Sequence, residues 1–181
     1  ALERLSHREL YQQILGVDSL SASVEQLKDR AQNLQECPFT ETSRVFWLDL
    51  LWVIGIEPGL RDRACFVYDF PIEQAALARL GDSEGRAVAH RFELVIQGVE
   101  LANGFWELTD ADEQQGRFEA DNQYRECSGQ PRVEPDERLL QALRTGLPDC
   151  AGVALGFDRL VALSSGYQQV SDALALAWDQ A

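Results

Sequence analysis

The sequence predicts an α+β fold in which helices lie before and after a central antiparallel hairpin. Residues 91–108 read RFELVIQGVELANGFWEL, and their two strand-like runs flank Gln97-Gly98, a two-residue break typical of a tight hairpin. Residues 64–70 (ACFVYDF) form another apolar run of strand length. Capping-box spacings that begin at Ser6 and Ser23 predict helices ahead of these strands.

Residues 1–63 are expected to form a helical layer that carries no chemistry. The helix predicted from Ser43 to Ile54 is apolar on nearly every side, so it should be buried or covered by a partner. The other boundaries expected in this layer are Gly16 for the end of the first helix, Cys37-Pro38 for the end of the second, and a turn at Glu57-Pro58-Gly59.

Further helices and loops are expected around the hairpin. Asp110 should cap a helix that reaches Cys127. Residues 152–160 (GVALGFDRL) predict a short buried strand that enters a helix at Asp158. The remaining expected elements are a short helix through Leu80, a loop from Gly81 to Gly85, and a helix from Glu134 to Arg144 that is stopped by Gly146.

The composition predicts a folded and strongly acidic protein. Hydrophobic residues make up 45% of the 181 residues, and the formal charge is −14 with Lys28 as the only lysine. Such a surface repels phosphate backbones and anionic membranes, so we expect poor nucleic-acid binding and no membrane partner. A cationic ligand or a basic protein partner fits this charge better.

Four further expectations follow from the cysteines, the histidines, the length of the apolar runs and the absence of methionine. The four cysteines form no CxxC pair, so free cytoplasmic thiols are expected rather than a zinc site or a disulfide framework. His7 and His90 are isolated and are interpreted as surface or packing residues. No apolar run is long enough to span a membrane. The sequence contains no methionine, so we expect a segment of something longer.

Two glutamates of the hairpin, Glu93 and Glu100, suggest a divalent-metal site. A two-residue loop pairs Val95 with Glu100 and Glu93 with Ala102, which makes the two carboxylates diagonal neighbours roughly 7–8 Å apart on one face. Carboxylates this close repel each other unless a cation lies between them or one binds a proton. Mg²⁺ is the most natural cation, because it takes hard oxygen ligands and usually brings phosphates. The alternative is a solvated sheet face with two ordinary glutamates.

Asn103, Phe105 and Glu107 share one parity, but strict alternation places them on the face opposite Glu100. If they line one pocket together with Glu93, the second strand needs a bulge between Glu100 and Asn103, and bulges are common beside active sites. We therefore predict this bulge. In the alternative interpretation, Phe105 belongs to the core and Glu107 is exposed.

Small residues mark the last predicted strand. Gly152, Ala154 and Gly156 leave room on one face for a flat group to lie against the backbone. Arg159, in the first turn of the following helix, can aim a planar guanidinium at a phosphate. Alternatively, Arg159 pairs with Asp158 or with a surface carboxylate.

Taken together, FELVIQGVELANGFWEL and GVALGFDRLVAL resemble the strand pair before motif 3, and motif 3 itself, of class II lysyl-tRNA synthetases. The sequence is more similar to their paralogue, the elongation factor P lysine ligase family, which FVYDFP, ELTDADEQQGRFEADN and GLPDCAGVALG also resemble. The similarity covers essentially the whole chain and is weakest in the first sixty or so residues. It implies a class II synthetase fold, with a mostly antiparallel sheet flanked by helices, that forms an adenylate from ATP and an amino acid.

The resemblance implies which residues bind ATP. Glu93 and Glu100 resemble the carboxylates that hold Mg²⁺ on the ATP phosphates. Arg159 resembles the motif 3 arginine on the γ-phosphate, and Gly156 resembles the glycine beneath the adenine. Metal and arginine neutralise polyphosphate charge during in-line attack by a carboxylate, so Glu100 and Arg159 are the expected catalytic residues.

The resemblance also implies a lysine-binding pocket. Asn103 would meet the substrate carboxylate, Phe105 would shape the pocket wall, and Glu107 would pair with the side-chain ammonium. Ala154 stands where the tRNA synthetases have glycine, and its methyl group implies β-lysine as substrate over α-lysine. Trp106 occupies a variable site where smaller residues are usual, and on the outer face we expect it to be harmless.

The family's motifs 1 and 2 lie upstream, and nothing in this sequence supplies them. Residues 64–181 are therefore expected to be the C-terminal part of an incomplete catalytic core. Alone, the segment should neither activate lysine nor dimerise in the family manner, although the full-length protein is expected to be a homodimer. The sheet should have an unprotected edge and exposed apolar surface.

The leading hypothesis is an ATP-dependent ligase of the cytoplasm that adenylates lysine or β-lysine and transfers it to a lysine of elongation factor P. A true lysyl-tRNA synthetase is the alternative enzyme, but Ala154 and the acidic surface argue against tRNA. A non-catalytic synthetase-like interaction module is the alternative from a different class. The retained pair Glu93 and Glu100 argues for catalysis, because a binding module has no need of an Mg²⁺ pair.

Overall fold

The computed structural model describes residues 2–176, which form a six-stranded sheet flanked by helices. The strands are β1 (Leu2–Ser6), β2 (Ala64–Phe70), β3 (Leu80–Ser83), β4 (Arg86–Ile96), β5 (Val99–Trp106) and β6 (Ala151–Leu155). Their order is β1-β2-β4-β5-β6, with β3 paired to the first part of β4. All pairs are antiparallel except β1 with β2. The prediction of an α+β fold with a mostly antiparallel sheet is confirmed.

The helices lie before, between and after the strands. They are α1 (His7–Leu15), α2 (Val24–Gln32), α3 (Arg44–Leu51), α4 (Glu57–Gly59), α5 (Ala111–Cys127), α6 (Glu137–Thr145) and α7 (Phe157–Ser165). A π-helical segment, Trp52–Ile56, joins α3 to α4. No helix within residues 2–176 is both long enough and apolar enough to cross a membrane.

Helix starts follow the polar caps that the sequence predicts. Ser6 and Ser23 each form a complete capping box, and Asp110 accepts two backbone N–H bonds at the start of α5. The helix α1 ends at Gly16, which adopts the left-handed conformation that favours glycine. Local side-chain chemistry thus determines these boundaries, independently of the rest of the fold.

Three predicted helix boundaries differ from the structure. The helix α2 ends at Gln32, earlier than the expected end at Cys37-Pro38. Residues 57–59 are a helical turn rather than a break, because the π-helical segment carries the helix forward to them. The helix α6 starts after Asp136, which accepts N–H bonds from Arg138 and Leu139, and not at Glu134.

The sequence analysis missed two strands. The strand β1 pairs in parallel with β2, from Leu2 opposite Ala64 to Ser6 opposite Tyr68. The expected helix through Leu80 is only a single 3-10 turn, and residues 80–83 form β3 instead of a loop. Strands of four or five residues are too short to show a clear alternating pattern. The division into residues 1–63 and 64–181 stays a prediction.

The main core lies between the early helices and one face of the sheet. Trp47, Leu48 and Leu51 of α3 are fully buried, and they belong to one cluster with Val67 of β2 and Val95 of β4. The apolar helix predicted over this region is therefore buried as expected, apart from residues that line the cavity described below. The core thus supports the face of β4 and β5 that carries the candidate site.

Candidate active site

A bulge in β5 brings the candidate residues onto one face of the sheet. Glu93 pairs with Asn103 and not, as expected, with Ala102, because Leu101 has no partner in β4. The bulge predicted between Glu100 and Asn103 is therefore confirmed, and the predicted partner of Glu93 is wrong. One extra residue reverses the parity of every side chain that follows it.

The pairing beyond the bulge aligns side chains across three strands. Glu100 lies opposite Val95, as predicted, and the turn between them is formed by Gln97-Gly98. Directly opposed residues of an antiparallel pair share a face. In β6 the small residues continue this face, since Gly152 and Ala154 lie opposite residues of β5. The shared face carries Arg91, Glu93, Val95, Glu100, Asn103, Phe105, Gly152 and Ala154.

Glu93 is not an ordinary solvated glutamate. Only 7% of the residue is exposed. Burial raises the pKa of Glu93 above its usual range; the positive charge of Arg91 partly offsets this effect, and the negative charge of Glu100 adds to it. Glu93 and Glu100 therefore repel each other as the sequence analysis expected, and the alternative of two freely solvated glutamates does not describe Glu93.

Arg91 contacts several of these residues at once. Its Nη2 pairs with Glu93, its Nε donates to Asn103 Oδ1 at 3.3 Å, and its Nη1 donates to the carbonyl of Gln74 at 3.1 Å. The guanidinium also lies 4.6 Å from the ring centre of Phe70 and 6.0 Å from that of Phe105. Arg91 is therefore connected to three of the predicted site residues.

An acidic cavity of about 250 Å³ opens beside the glutamate pair. Its apolar lining comes from Phe70 and from Trp52 and Val53 of the π-helical segment, and its acidic groups come from α3, α4 and the hairpin. Burial lowers the pKa of His7 to about 3, so this imidazole is neutral near pH 7. The lining residues are His7, Asp49, Trp52, Val53, Glu57, Phe70, Gln74, Arg91, Glu93 and Glu100.

Arg159 lies at the edge of this site, in the first turn of α7. Its Nη1 donates to the backbone carbonyl of Glu100 at 2.9 Å, and the residue is exposed. A side chain at Gly156 would come within 3.3 Å of Arg159, so the missing side chain leaves room for the arginine to fold back. The guanidinium thus lies beside the turn that carries Glu100, and not against Asp158.

Glu107 lies at the other end of the shared face. Its carboxylate lies so close to Gly152 that any side chain there would overlap Oε1. Its backbone carbonyl accepts a hydrogen bond from Arg79 Nε at 3.1 Å, and Arg79 stacks on Trp106.

Trp106 itself pairs with Ala151, outside the shared face, and donates to Asp149. Phe105 packs against the main core, as the alternative interpretation expected, whereas Glu107 is only partly exposed.

The structure brings the predicted residues to one face but not into one enclosed pocket. Only Glu93 and Glu100 line the acidic cavity; Asn103, Phe105, Glu107 and Ala154 lie further along the sheet. The strand β6 was expected to be buried, but Val153, Ala154 and Leu155 are exposed, because nothing in residues 2–176 covers it. The expected unprotected edge and exposed apolar surface are thereby confirmed.

Sequence reasoning missed Arg91, Asp49 and Gln74. Arg91 precedes Glu93 by two residues on the same strand, so strict alternation would have placed both on one face. Asp49 and Gln74 belong to a helix and a turn that approach the hairpin only in the folded chain, and Gln74 Nε2 donates to Asp49 Oδ1 at 2.7 Å. His7 is a fully buried packing residue, in agreement with the sequence analysis.

The donor set fits Mg²⁺ bound together with a phosphate better than a structural metal. Mg²⁺ usually takes one or two carboxylates and fills its remaining positions with water and phosphate oxygens. Glu93 and Glu100 supply two carboxylates on one face. Within residues 2–176 no three His, Cys, Asp or Glu side chains form a metal cage. The two glutamates therefore suit a metal that arrives with its nucleotide.

The fold and the site agree with one class of proteins. The family model for the class II tRNA synthetases (D, K and N) matches residues 4–180. Because this match covers nearly the entire chain, the chain belongs to that family, as the motif 3 resemblance implied. The family accounts for the mostly antiparallel sheet and for the position of α7 directly after β6.

Among curated proteins, the chain is similar to several named elongation factor P–(R)-beta-lysine ligase. It is 47% identical over 182 residues to the protein of Enterobacter sp. (strain 638). It is 46% identical to those of Salmonella arizonae and Salmonella agona. Each comparison covers 99% of this chain and 56% of the relative, so the chain spans about half the length of the curated relatives it matches.

Proposed function

We propose that this chain is the C-terminal part of the catalytic domain of an ATP-dependent ligase. The ligase adenylates a lysine-type amino acid, β-lysine, and transfers it to a lysine of elongation factor P. The names of the relatives and the family membership support this proposal. The observation that carries it is the bulge at Leu101, which puts Glu100 and Asn103 on the same face as Glu93.

On the phosphate side, Glu93 and Glu100 would hold Mg²⁺, Arg159 would bind the γ-phosphate, and Gly156 would lie beneath the adenine. The metal, when bound, offsets the negative charge of the polyphosphate. Arg159 lies beside the Glu100 backbone. This position supports the assignment, because Arg159 and Glu100 would then both approach the phosphate end of a nucleotide. Glu100 and Arg159 are the residues that we assign to catalysis.

On the amino acid side, Asn103 meets the substrate carboxylate, Phe105 forms the wall and Glu107 pairs with the ammonium group. The substrate carboxylate attacks the α-phosphorus, which forms the aminoacyl adenylate and releases pyrophosphate. The amine of the acceptor lysine then attacks the carbonyl carbon, so that an amide forms and AMP leaves. The methyl group of Ala154, opposite Asn103, shortens the pocket and favours β-lysine over α-lysine.

The proposal is tested by pyrophosphate–ATP exchange with the full-length protein, in the presence of α-lysine or (R)-β-lysine, followed by transfer to elongation factor P or to tRNA. We expect exchange with (R)-β-lysine and label on elongation factor P. Label on tRNA alone would instead identify a lysyl-tRNA synthetase. No exchange with either isomer would favour the non-catalytic interaction module.

The same assay applied to residues 1–181 alone should give no exchange, because the family's motifs 1 and 2 lie outside this segment. We further propose that the full-length protein is a homodimer and acts in the cytoplasm, where elongation factor P works. Sedimentation of the full-length protein should give a dimer mass. A lysine-dependent exchange signal from the segment would contradict the proposed division of the active site.

A further inference from the structure

We propose that Arg91 is a positioning residue of this site, which fixes the side chains of Glu93 and Asn103 relative to each other. The inference rests on the proposed function, because it assigns Glu93 to the phosphate side and Asn103 to the amino acid side. Arg91 would then connect the two halves of the reaction. It touches neither substrate in this assignment and acts through the residues that do.

The contacts of Arg91 leave its guanidinium little freedom. One nitrogen pairs with Glu93, another donates to Asn103 Oδ1, and a third donates to the Gln74 carbonyl. The guanidinium carbon lies over the ring of Phe70, 4.6 Å from the ring centre. Only 18% of the Arg91 side chain is exposed. A planar fork with three directed contacts cannot be reproduced by the single ammonium group of lysine.

The support behind Arg91 is also fixed. The Phe70 ring is 3% exposed and lies 4.8 Å from the imidazole of His7, measured between ring centres. His7 in turn stacks on Tyr11 at 4.3 Å and bonds to Ser19 Oγ at 2.8 Å. Arg91 therefore lies on an aromatic stack that is anchored in the main core.

The charges of the acidic cavity explain why a cation is needed at this position. Four of its ten lining residues are acids, and Arg91 is the only permanent cation among the ten. The imidazole of His7 is neutral, so it cannot offset these charges. Without Arg91, the buried carboxylate of Glu93 would face Glu100 without a compensating partner, and it would turn away or bind a proton. Arg91 thus holds Glu93 in place before any metal arrives.

Arg91→Lys is the decisive variant, because it keeps the positive charge and removes the fork. In the full-length protein, we expect the KM for the amino acid and the Mg²⁺ concentration for half-maximal exchange both to rise by about 10–100-fold, as for other residues that orient metal ligands. The melting temperature should change little. Arg63→Lys is the matched control: Arg63 is 24% exposed and forms a two-pronged pair with Glu3, away from the site.

A double-mutant cycle separates positioning from general damage. If Arg91 acts through Asn103, then at saturating Mg²⁺, where its effect through Glu93 is suppressed, Arg91→Lys should add little to the loss that Asn103→Ala already causes in kcat/KM for the amino acid. Additive losses, or Arg91→Lys kinetics within twofold of the parent, would overturn the inference. Arg91→Lys keeps the folded chain testable, because it leaves no uncompensated buried charge.

An NMR measurement that needs no catalysis tests the positioning role of Arg91 separately from the proposed function. In nitrogen-15 NMR spectra of the full-length protein, the Arg91 Nε–H signal should exchange slowly with water, and Arg91→Lys should shift the Asn103 side-chain amide signals. These results would support the positioning contact even if the full-length protein showed no exchange with lysine isomers. A rapidly exchanging Arg91 signal and unmoved Asn103 signals would overturn it even in an active ligase.

Discussion

The contact between Glu107 and Gly152 shows how one missing side chain determines where a charged group lies. Gly152 has no Cβ, and the Glu107 carboxylate fills that space from the neighbouring strand. The Glu107 backbone is tied to Arg79 on the other side, so the carboxylate has few other places to go. The direction in which Glu107 points is thus set by a residue that carries no chemistry of its own.

We therefore predict that Gly152→Ala displaces the Glu107 carboxylate without unfolding the chain. The new methyl group would overlap Oε1, and the carboxylate must rotate away. In the full-length protein, the KM for the amino acid should rise about tenfold, as expected when a charged hydrogen bond is lost. Gly116→Ala is the control, because a methyl group there meets nothing within 4 Å. An unchanged KM would show that Glu107 does not bind the ammonium group.

Ala154→Gly should change which lysine isomer the full-length protein prefers. Ala154 lies opposite Asn103, and in the proposed function its methyl group would limit the length of the amino acid pocket. Removing it should raise the kcat/KM ratio of α-lysine to β-lysine by roughly 10–200-fold, the usual range for one carbon group in a pocket. Ala151→Gly, in the same strand but opposite Trp106, should leave the ratio unchanged. An unchanged ratio in Ala154→Gly would remove the basis for proposing β-lysine.

Alternation alone predicted the glutamate pair of this site but not its other residues, for physical reasons. Glu93 and Glu100 were found because their parity depends on one two-residue turn. Asn103 reaches the face of the two glutamates only through a bulge. The residue types predicted that bulge only on the assumption that these side chains line one pocket. The true partner of Glu93 depends on where the extra residue of β5 falls. The role of Arg91 depends on contacts from α3 and the 3-10 turn. A local sequence pattern contains neither piece of information.

Asp18 joins two elements, because it accepts bonds from both α1 and β4. Arg8 Nε and Arg86 Nη1 each donate to its Oδ2 at 2.8 Å. Burial alone would raise the pKa of Asp18, but the hydrogen bonds from Arg8 and the Leu20 backbone, with the charges of the two arginines, hold the pKa below its usual range. This side chain therefore fixes how the first helix sits against the sheet.

Asp18→Asn should lower the free energy of unfolding by roughly 1–2 kcal/mol at pH 7. The pKa of Asp18 is lower in the folded chain, so its stabilising contribution is present above the unfolded pKa, near pH 4, and is lost as the pH falls through the folded pKa. The difference between the two proteins should shrink accordingly in urea titrations from pH 7 to pH 3. Asp29→Asn, at an exposed position of α2, is the control. A difference of the same size at pH 7 and at pH 3 would contradict the ion-pair explanation.

Several helix starts that rest on local chemistry were predictable, whereas two short strands that rest on distant pairing were not. The caps at Ser6, Ser23 and Asp110 were correct because each side chain satisfies backbone groups within its own first turn. The strands β1 and β3 were missed because their hydrogen bonds go to residues far along the chain or across a short turn. Their sequences carry no signal comparable to a cap.

At the scale of the whole molecule, the two sides of the sheet differ in how far residues 2–176 cover them. The early helices bury the side around β2 and β4. Around β6 and the start of α7, Val153, Leu155 and Phe157 are 63%, 50% and 68% exposed. Adjacent exposed apolar side chains on an edge strand favour association with another surface.

We predict that residues 1–181 associate with themselves at micromolar concentrations through this edge. Val153→Lys should reduce the weight-average mass in sedimentation equilibrium toward that of a monomer. Val133→Lys is the matched control, since Val133 is 57% exposed, lies in a loop before α6, and gives the same change of charge. Equal effects of the two variants would attribute the change to net charge and not to the β6 edge.

The parallel pairing of β1 with β2 has a consequence for synthesis on the ribosome. Leu2 meets Ala64, so this strand leaves the exit tunnel well before its partner has been translated. Its backbone groups must remain hydrated while α1, α2 and α3 form behind it, and closing so long a loop is slow compared with forming a helix. The nascent chain should therefore form its helices first and add β1 to the edge of the sheet late.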